Sequence, residues 1–184
     1  MSVRLLAVAA SYRADSLNRK LLGLAVAVAK QRGAEVTVLD YAALEAPIYR
    51  GETLVDALPQ PIADLSTALR AHHGLIIASP EYNWSMPGSL KNIIDWLSID
   101  PNAPLNRRSA LLMSATPSMR SGISGLLHLR TTLDVLGVWT YPQLIGIGKA
   151  EEQLQPERLA RESDQNHLEY CVTDFIRTTK AIHA

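Results

Sequence analysis

Residues 10–18 form a polar segment whose side chains suit a phosphate ester. The segment reads Ala-Ser-Tyr-Arg-Ala-Asp-Ser-Leu-Asn and lies between a predicted strand and a predicted helix. A phosphate monoester is bound by hydroxyl and backbone N–H donors together with a cation, and the amino-terminal end of a helix supplies the N–H groups. Ser11, Ser16 and Arg13 could supply the rest. The segment predicts a phosphate site, but a helix cap at Ser16 beside a solvated Arg13 would explain the pattern equally well.

Two further residues of this segment bear on its chemistry. Asn18 lies one helical step beyond the cap, where its amide could tie the loop down or reach the phosphate. Asp15 carries a negative charge beside a predicted dianion site, so we expect its carboxylate to point away. The segment is neither the Gly-x-Gly-x-x-Gly dinucleotide fingerprint nor a Walker loop, which argues against a classical NAD or ATP site.

A second polar segment, residues 80–97, follows the fully apolar strand candidate at residues 75–78. It reads Pro-Glu-Tyr-Asn-Trp-Ser-Met-Pro-Gly-Ser-Leu-Lys-Asn-Ile-Ile-Asp-Trp-Leu, and its second half carries apolar side chains at helical spacing. A polar turn at the carboxyl end of a buried strand is where open α/β sheets bind their ligands. The segment therefore predicts a ligand-binding turn that leads directly into a helix.

The pattern of apolar residues predicts a sheet that could position these loops. Short aliphatic or β-branched runs alternate with helical patterns, which indicates βαβ units, a parallel sheet and a single α/β domain over residues 1–184. Pro142 interrupts the last strand candidate, and residues 40–59 have no regular pattern. The predicted strands are residues 3–9, 36–39, 75–78, 110–114 and 138–144, and the last helix is predicted over residues 156–182.

The composition excludes several classes of protein. Lys plus Arg equals Asp plus Glu at 18 each, so no net field would recruit nucleic acid or an anionic membrane. No apolar run approaches the roughly 18 residues that span a bilayer, and the amino terminus lacks the pattern of a signal peptide. The single cysteine excludes an intramolecular disulfide, and the five histidines lack metal-ligand spacing. These observations predict a cytoplasmic protein without a metal site.

The second polar segment resembles the signature of the NADPH-dependent FMN reductase family, the flavodoxin-like quinone, azo-dye and chromate reductases. Its first residues match the family's Pro-Glu-Tyr-Asn, and those from Ser85 match Ser-x-Pro-Gly-x-Leu-Lys-Asn-x-x-Asp-Trp. The first segment is similar to the family's Gly-Ser-x-Arg-x-x-Ser-x-Asn pattern, with Ala10 in place of the glycine. With a weaker similarity at residues 114–122, the resemblance covers roughly residues 3–145.

The resemblance implies a flavodoxin-like three-layer fold, in which a five-stranded parallel sheet of order 2-1-3-4-5 has helices on both faces. It implies an oxidoreductase that transfers hydride from NADPH or NADH through bound FMN to a small acceptor, by a ping-pong mechanism. Quinones, azo compounds, free flavin and metal oxyanions are the acceptors it suggests. No catalytic side chain is then needed. Family members often complete the flavin pocket with a neighbouring subunit, which implies a homodimer or homotetramer.

The resemblance also assigns residues to the cofactor. Residues 81–83 would line the isoalloxazine ring, largely through their main chain, while Trp84 could wall the substrate pocket or pack on a partner subunit. In the third loop, which is less rich in glycine than is usual in the family, Arg120 could receive an NADPH phosphate or lie in solvent. The implied cofactor contacts are Ser11, Arg13, Ser16, Leu17, Asn18, Pro80, Glu81, Tyr82, Asn83, Ser114 and Thr116.

Two other functions are compatible with the sequence. A flavodoxin-like electron carrier would share the fold and the cofactor, although carriers that dock by charge are usually strongly acidic and this chain is neutral. A flavin-free binding or regulatory protein is favoured only by Ala10 and by the third loop. Flavin content separates the regulatory protein from the others, and turnover with NADPH and a quinone separates the carrier.

Overall fold

A computed structural model describes residues 2–51 and 58–184 of the chain. The strands are β1 (Arg4–Ala9), β2 (Glu35–Val38), β3 (Gly74–Ala78), β4 (Ser109–Ala115), β5 (Trp139–Thr140) and β6 (Ile145–Ile147). Within these residues they form one parallel sheet of order β2-β1-β3-β4-β5, with β6 also paired to β4. This order confirms the predicted flavodoxin-like arrangement.

Helices cover both faces of the sheet, as the predicted three layers require. They are α1 (Leu17–Gln31), α2 (Gln60–Ala71), α3 (Gly88–Ser98), α4 (Ile123–Asp134), α5 (Ala150–Gln153) and α6 (Glu162–Ile182), with a 3-10 turn at Tyr41–Leu44. Successive side chains of β1, β3 and β4 point to opposite faces. One set packs with α1 and α6, and the other packs with α2, α3 and α4. The central strands are therefore buried on both sides, and their carboxyl ends remain free to carry a site.

The predicted last strand, residues 138–144, is wrong over most of its length, because only β5 lies within it and β6 begins after its end. β5 pairs with the beginning of β4, and β6 pairs with its end. Pro142 lies between them and has no backbone N–H to donate to the sheet, so the pairing is interrupted there. The Arg130 guanidinium donates instead to the carbonyls of Tyr141 and Pro142, at 2.8 and 2.9 Å.

The predicted start of the last helix at residue 156 is also wrong, because α6 begins at Glu162. The residues before it form a loop closed by an antiparallel bridge between Leu154 and Leu159. Leu159 is fully buried, and its N–H donates to Gln165 Oε1 at 2.9 Å. A buried anchor and a side-chain partner for the backbone thus take the place of the first predicted helical turns.

Side chains of α3 hold the irregular segment that follows β2. Asn92 Oδ1 accepts a hydrogen bond from the N–H of Tyr49 at 2.8 Å, and Asn92 Nδ2 donates to the Pro47 carbonyl at 3.0 Å. Trp96 Nε1 donates to the same carbonyl at 2.7 Å. These bonds pair backbone groups that belong to no helix or strand, and they give Asn92 and Trp96 a structural role. Residues 52–57 of the predicted irregular segment lie outside the described part of the chain.

The single cysteine lies on the face of α6 that packs against the sheet. Cys171 is fully buried, and its Sγ lies 3.5 Å from Gln143 Oε1. Burial raises the pKa of the Cys171 thiol to about 11. The thiol is therefore protonated at neutral pH and shielded from solvent.

The turn after α3 contains a buried carboxylate. Asp100 accepts hydrogen bonds from Ser66 Oγ and from both the backbone N–H and the side-chain amide of Asn102, the latter two at 2.8 Å. Burial alone would raise the pKa of Asp100, but these hydrogen bonds outweigh it and lower the pKa below its ordinary value.

We expect this carboxylate to make the fold acid-sensitive. Because its folded-state pKa is lowered, its contribution is complete above about pH 4 and is lost as the pH falls through the folded-state pKa. Asp100→Asn should lower the free energy of unfolding at neutral pH and flatten its decline in acid, as measured by urea unfolding across a pH series. A decline as steep in the variant as in the wild type would contradict this role.

Candidate functional site

A cavity of about 490 Å³ opens at the carboxyl ends of β1, β3 and β4. Its volume is within the range of about 300–1,000 Å³ that is typical of cofactor sites. Residues 11–20, 80–82, 115–117 and 150–154 contribute to its walls. The structure thus brings the three predicted loops to one place. Of the predicted cofactor contacts, all but Asn83 and Ser114 line the cavity.

The two predicted serines of the first loop are buried, and each hydroxyl oxygen accepts a backbone hydrogen bond. Ser16 caps α1, and its Oγ accepts the N–H of Asn18 at 3.2 Å. Ser11 Oγ accepts the N–H of Arg13 at 3.3 Å. Since each oxygen already serves as an acceptor, each hydroxyl hydrogen is left to donate to a ligand. α1 has no acidic residue in its first turn, so its positive end is not neutralised by its own side chains.

Ala10 fits its position in the first loop without strain. It is buried, it has no positive φ, and its N–H donates to the Ala78 carbonyl at 2.8 Å. The loop therefore does not need the conformational freedom of glycine where the family pattern has one.

The Asp15 carboxylate accepts two hydrogen bonds from the Arg13 guanidinium, at 2.9 and 3.1 Å, and both residues line the cavity. The hydrogen bonds and the opposite charges raise the pKa of Arg13 and lower the pKa of Asp15.

Lys20 also lines the cavity but was not predicted from the sequence. It lies one helical turn beyond Ser16, so helical spacing could have indicated it.

Asn18 ties the first loop to the third. Its Nδ2 donates to the Ala115 carbonyl at 3.0 Å, and its Oδ1 accepts the N–H of Ala115 at 2.9 Å. Its side chain is buried, and it joins the first turn of α1 to the end of β4. Of the two roles that the sequence left open, the structure shows this bridging one.

The second loop is a tight hairpin turn. The N–H of Tyr82 donates to the Ser85 carbonyl at 2.9 Å, and the N–H of Ser85 donates to the Tyr82 carbonyl at 3.0 Å. Between them, Asn83 and Trp84 have φ values of 50° and 67°. Positive φ at both central residues is the geometry of a type I′ turn, for which asparagine is well suited. Asn83 therefore occupies the tip of the turn, whereas residues 80–82 line the cavity.

This hairpin is fixed to the beginning of α4. Glu81 Oε2 accepts the N–H of Gly125 at 2.8 Å, and Ser85 Oγ lies 3.1 Å from His128 Nδ1. An N–H in the first turn of a helix has no partner within the helix, so Glu81 satisfies one of these groups. The Glu81 side chain thus has a structural contact, and the cavity wall at this end is held from two directions.

The third loop presents Thr116 to the cavity but not Ser114. Ser114 is fully buried, its Oγ has no hydrogen-bond partner, and it lies beneath Gly122, which has a φ of 70°. The loop also lies close to the sheet edge. A Cβ atom on Gly146 or on Gly148 would come within 2.8 Å of a backbone carbonyl oxygen, of Ser121 or Met119 respectively. Two glycines that this loop requires therefore lie outside it, Gly146 within β6 and Gly148 directly after β6.

The third loop contacts the hairpin through two residues that do not themselves line the cavity. Cζ of Arg120 lies 4.3 Å from the centroid of the Trp84 indole ring. The Trp84 side chain is about half exposed, at 53%. The two residues whose roles the sequence left open are therefore in contact with each other.

One wall of the cavity was not predicted from the sequence. α5 follows Lys149, which has a φ of 49°, and Ala150, Glu151 and Leu154 line the cavity. A helix of this length is too short for its periodicity to be read from the sequence. A sequence signal was available only in the Gly148-Lys149 pair that follows the last strand.

The sequence family model described as NADPH-dependent FMN reductase matches residues 3–152. The chain belongs to the NADPH-dependent FMN reductase family. This match includes all three loops and the beginning of α5, so every residue that lines the cavity except Leu154 lies within the part of the chain that the family shares. The reductase therefore has FMN as its cofactor and NAD(P)H as its reductant, and it acts on small molecules.

Individual relatives agree with this assignment. The chain is 30% identical to an NAD(P)H-dependent FMN reductase of Pseudomonas aeruginosa over 136 residues, which cover 74% of this chain and 72% of the relative. It is 31% identical to a quinone reductase of Escherichia coli K12 over 134 residues, which cover 70% of this chain and 71% of the relative. Both relatives support an NAD(P)H-dependent flavin oxidoreductase.

A solved structure shares the fold along nearly the whole chain. FerB, a flavoenzyme NAD(P)H:(acceptor) oxidoreductase from Paracoccus denitrificans, superposes with a TM-score of 0.84 at 23% identity, and the match covers 97% of this chain and 98% of FerB. Among residues 2–51 and 58–184, no group of three or more His, Cys, Asp or Glu side chains could hold a metal ion. No helix in the same residues is long and apolar enough to span a bilayer.

Proposed function

We propose that the cavity holds FMN, with the phosphate at the amino-terminal end of α1 and the isoalloxazine ring beside residues 80–82. NAD(P)H and a small acceptor then use the exposed face of the ring in turn, which is a ping-pong cycle. The observation that carries this proposal is one cavity lined jointly by the predicted phosphate loop and the predicted ring loop. Both loops lie at the carboxyl ends of the strands, which is the edge where open α/β sheets bind their ligands.

The chemistry of the phosphate end fits an ester dianion. Ser11 and Ser16 retain hydroxyl hydrogens, the first turn of α1 has unpaired N–H groups, and Lys20 adds a positive charge. The Arg13–Asp15 pair lies at the same end but is nearly neutral as a pair. The dianion would therefore be held mainly by hydroxyl groups, backbone amides and Lys20.

The ring end fits a flat heterocycle. Its backbone is held by the hairpin bonds of Tyr82 and by the Glu81–Gly125 contact, so its hydrogen-bonding groups lose little entropy on binding. Bound FMN would supply the redox chemistry, accepting hydride from NAD(P)H and passing it to the acceptor. The protein groups position the ring and leave one face open, which explains why no general acid or base is needed.

Exposed aromatic side chains in the first two loops favour aromatic acceptors. Tyr12, Tyr82 and Trp84 are each about half exposed and belong to the first and second loops. Planar rings stack on such side chains, so we propose quinones and azo compounds as acceptors in preference to metal oxyanions.

We propose that the protein forms a homodimer or homotetramer, because clustered exposed aromatic groups often mark an interface. Ile48, beside the same region, is 78% exposed. Light scattering of the purified protein would test this, and a monomer at micromolar concentration would contradict it.

The neutral net charge supports small-molecule partners rather than nucleic acid or membrane. A cytoplasmic location stays a prediction, to be tested by cell fractionation.

A visible spectrum before and after anaerobic addition of NADPH tests the proposed function. A flavin band near stoichiometry that bleaches on addition, followed by recovery with a quinone, is the expected result. Parallel lines in double-reciprocal plots would support the ping-pong order. A flavin band that bleaches with neither NADPH nor NADH would favour an electron carrier, and failure to bind added FMN would contradict the placement of the cofactor.

Removing Arg13 tests the phosphate end directly. We expect Arg13→Ala to weaken FMN binding by about 1.5–3 kcal/mol if the guanidinium leaves Asp15 to bind the phosphate. Asp15→Asn should then strengthen binding, because it frees Arg13 and removes a negative charge. Fluorescence titration with FMN measures both changes. Unchanged dissociation constants in both variants would show that Arg13 remains paired with Asp15 and that Lys20 and α1 carry the phosphate.

A further inference from the structure

A guanidinium lies over an indole, and the two loops that carry them also supply Tyr82 and Pro117 to the cavity wall. We propose that Arg120, backed by Trp84, is a specificity-determining residue that binds an anionic group on the ligand entering above the flavin. The ribose phosphate that distinguishes NADPH from NADH is one source of such a group, and an anionic acceptor is another. This inference rests on the placement of FMN proposed above.

The geometry leaves the hydrogen-bonding edge of Arg120 available. Its Cζ lies 4.3 Å from the centroid of the Trp84 ring, so one face of the guanidinium rests on the indole. Stacking uses the face of the planar group, whereas its N–H donors point outward along the edge. A phosphate, carboxylate or sulfonate can bind to this edge through two parallel hydrogen bonds.

The fold holds Trp84 in a conformation that packing alone does not explain. Its φ of 67° is unfavourable for a bulky side chain, and glycine is the preferred residue at this position of the turn. The indole is nevertheless 53% exposed, so burial of the ring contributes little free energy to offset the strain. Strain of this kind is characteristic of ligand-binding positions. The exposed face of the ring is used by Arg120.

Both partners are held by further contacts. Ser118 Oγ accepts the N–H of Arg120 at 3.3 Å. On the other side, the hairpin that carries Trp84 is fixed to α4 through Glu81 and Ser85. The stacked pair therefore has a defined position beside Tyr82, which lines the cavity.

The charge distribution supports an anion at this end. Arg13 is paired with Asp15, and Lys20 lies at the phosphate end. Arg120 takes part in none of the ion pairs found in residues 2–51 and 58–184. The Glu81 carboxylate, the acidic group of the hairpin, is bonded to the N–H of Gly125. Arg120 thus offers its charge to a ligand rather than to a protein carboxylate.

Steady-state kinetics of the FMN-loaded enzyme test the inference with two pairs of substrates. NADPH and NADH are compared as reductants, and a naphthoquinone sulfonate and neutral menadione are compared as acceptors. We expect Arg120→Ala to raise the KM of one anionic member of these pairs about ten- to a hundredfold and to leave its uncharged or less charged counterpart within about twofold. A change confined to NADPH identifies the ribose phosphate as the anion. A change confined to the sulfonate identifies the acceptor.

Trp84 is a positioning residue and has its own variants. Trp84→Gly suits the turn and removes the ring, so the same KM should rise about three- to tenfold. Trp84→Phe keeps an aromatic face and should restore most of the wild-type selectivity. Arg32→Ala, at the carboxyl-terminal end of α1, removes the same charge far from the cavity and serves as the control.

Equal changes for both members of each pair, or no change in either, would overturn the inference. The FMN dissociation constant of each variant separates this failure from a failure of the proposed site. If FMN binds normally to Arg120→Ala and the selectivity is unaltered, only the role of Arg120 is wrong. If the wild-type protein fails to bind added FMN as well, the placement of FMN is wrong.

Discussion

Asn18→Ala is expected to lower the free energy of unfolding by about 2–5 kcal/mol, because two buried backbone groups of Ala115 would lose their partner. The amide of Asn18 donates to the carbonyl of Ala115 at 3.0 Å and accepts its N–H at 2.9 Å, and Asn18 is only 3% exposed. Alanine offers neither group, and water has little access to replace them. Urea unfolding at neutral pH measures the change.

The same substitution should weaken FMN binding, because Asn18 joins the loop at the phosphate end to the loop that follows β4. Asn166→Ala, at an exposed position on α6, is the matched control and should stay within about 0.5 kcal/mol of the wild type. A loss of stability no larger than that of the control would show that the bridge is not formed in solution. An intact stability with weakened FMN binding would instead indicate that Asn18 contacts the phosphate.

Gly122→Ala is expected to lower the free energy of unfolding by about 2–4 kcal/mol, because the new methyl group meets both strain and steric conflict. The φ of Gly122 is 70°, which is costly for a residue with a Cβ. That Cβ would meet the Ser114 hydroxyl and would lie 2.8 Å from Ser114 Cβ. Gly23→Ala is the control. A Cβ there has nothing within 4 Å, so the variant should be as stable as the wild type or more stable.

A double-mutant cycle with Ser114→Ala separates the two causes. Ser114 Oγ is buried without a hydrogen-bond partner, so its removal alone should cost little or stabilise the fold. In combination with Gly122→Ala it should recover about 1 kcal/mol, and absence of such coupling would show that the conflict with the Ser114 hydroxyl contributes little to the loss. Ser114→Ala should also leave the FMN dissociation constant unchanged, since its side chain does not line the cavity.

Sequence reasoning succeeded where a local pattern determines the structure. The apolar runs of β1, β3 and β4 are buried on both faces, so they are recognisable without knowledge of their neighbours. The strand order was supplied by the resemblance, because local pattern carries no information about order. The helix cap at Ser16 followed from a hydroxyl residue at the start of a helical pattern.

The errors arose where a distant residue decides the outcome. The start of α6 depends on Leu159 entering a core formed by α1 and the sheet. Ser114 does not line the cavity because the chain at Gly122 packs over its side chain. In each case the interaction is tertiary, and tertiary contacts override local preference.

The burial of Cys171 has a consequence for the chemical durability of the enzyme. Quinones are electrophiles that alkylate thiolates, so a protein that handles them at an open cavity is exposed to covalent self-damage. In this chain the single sulfhydryl is fully enclosed between α6 and the sheet, and its raised pKa of about 11 leaves almost no thiolate at neutral pH. The fold therefore keeps its most nucleophilic side chain away from the proposed acceptors, and repeated turnover with an arylating quinone can proceed without modification at this position.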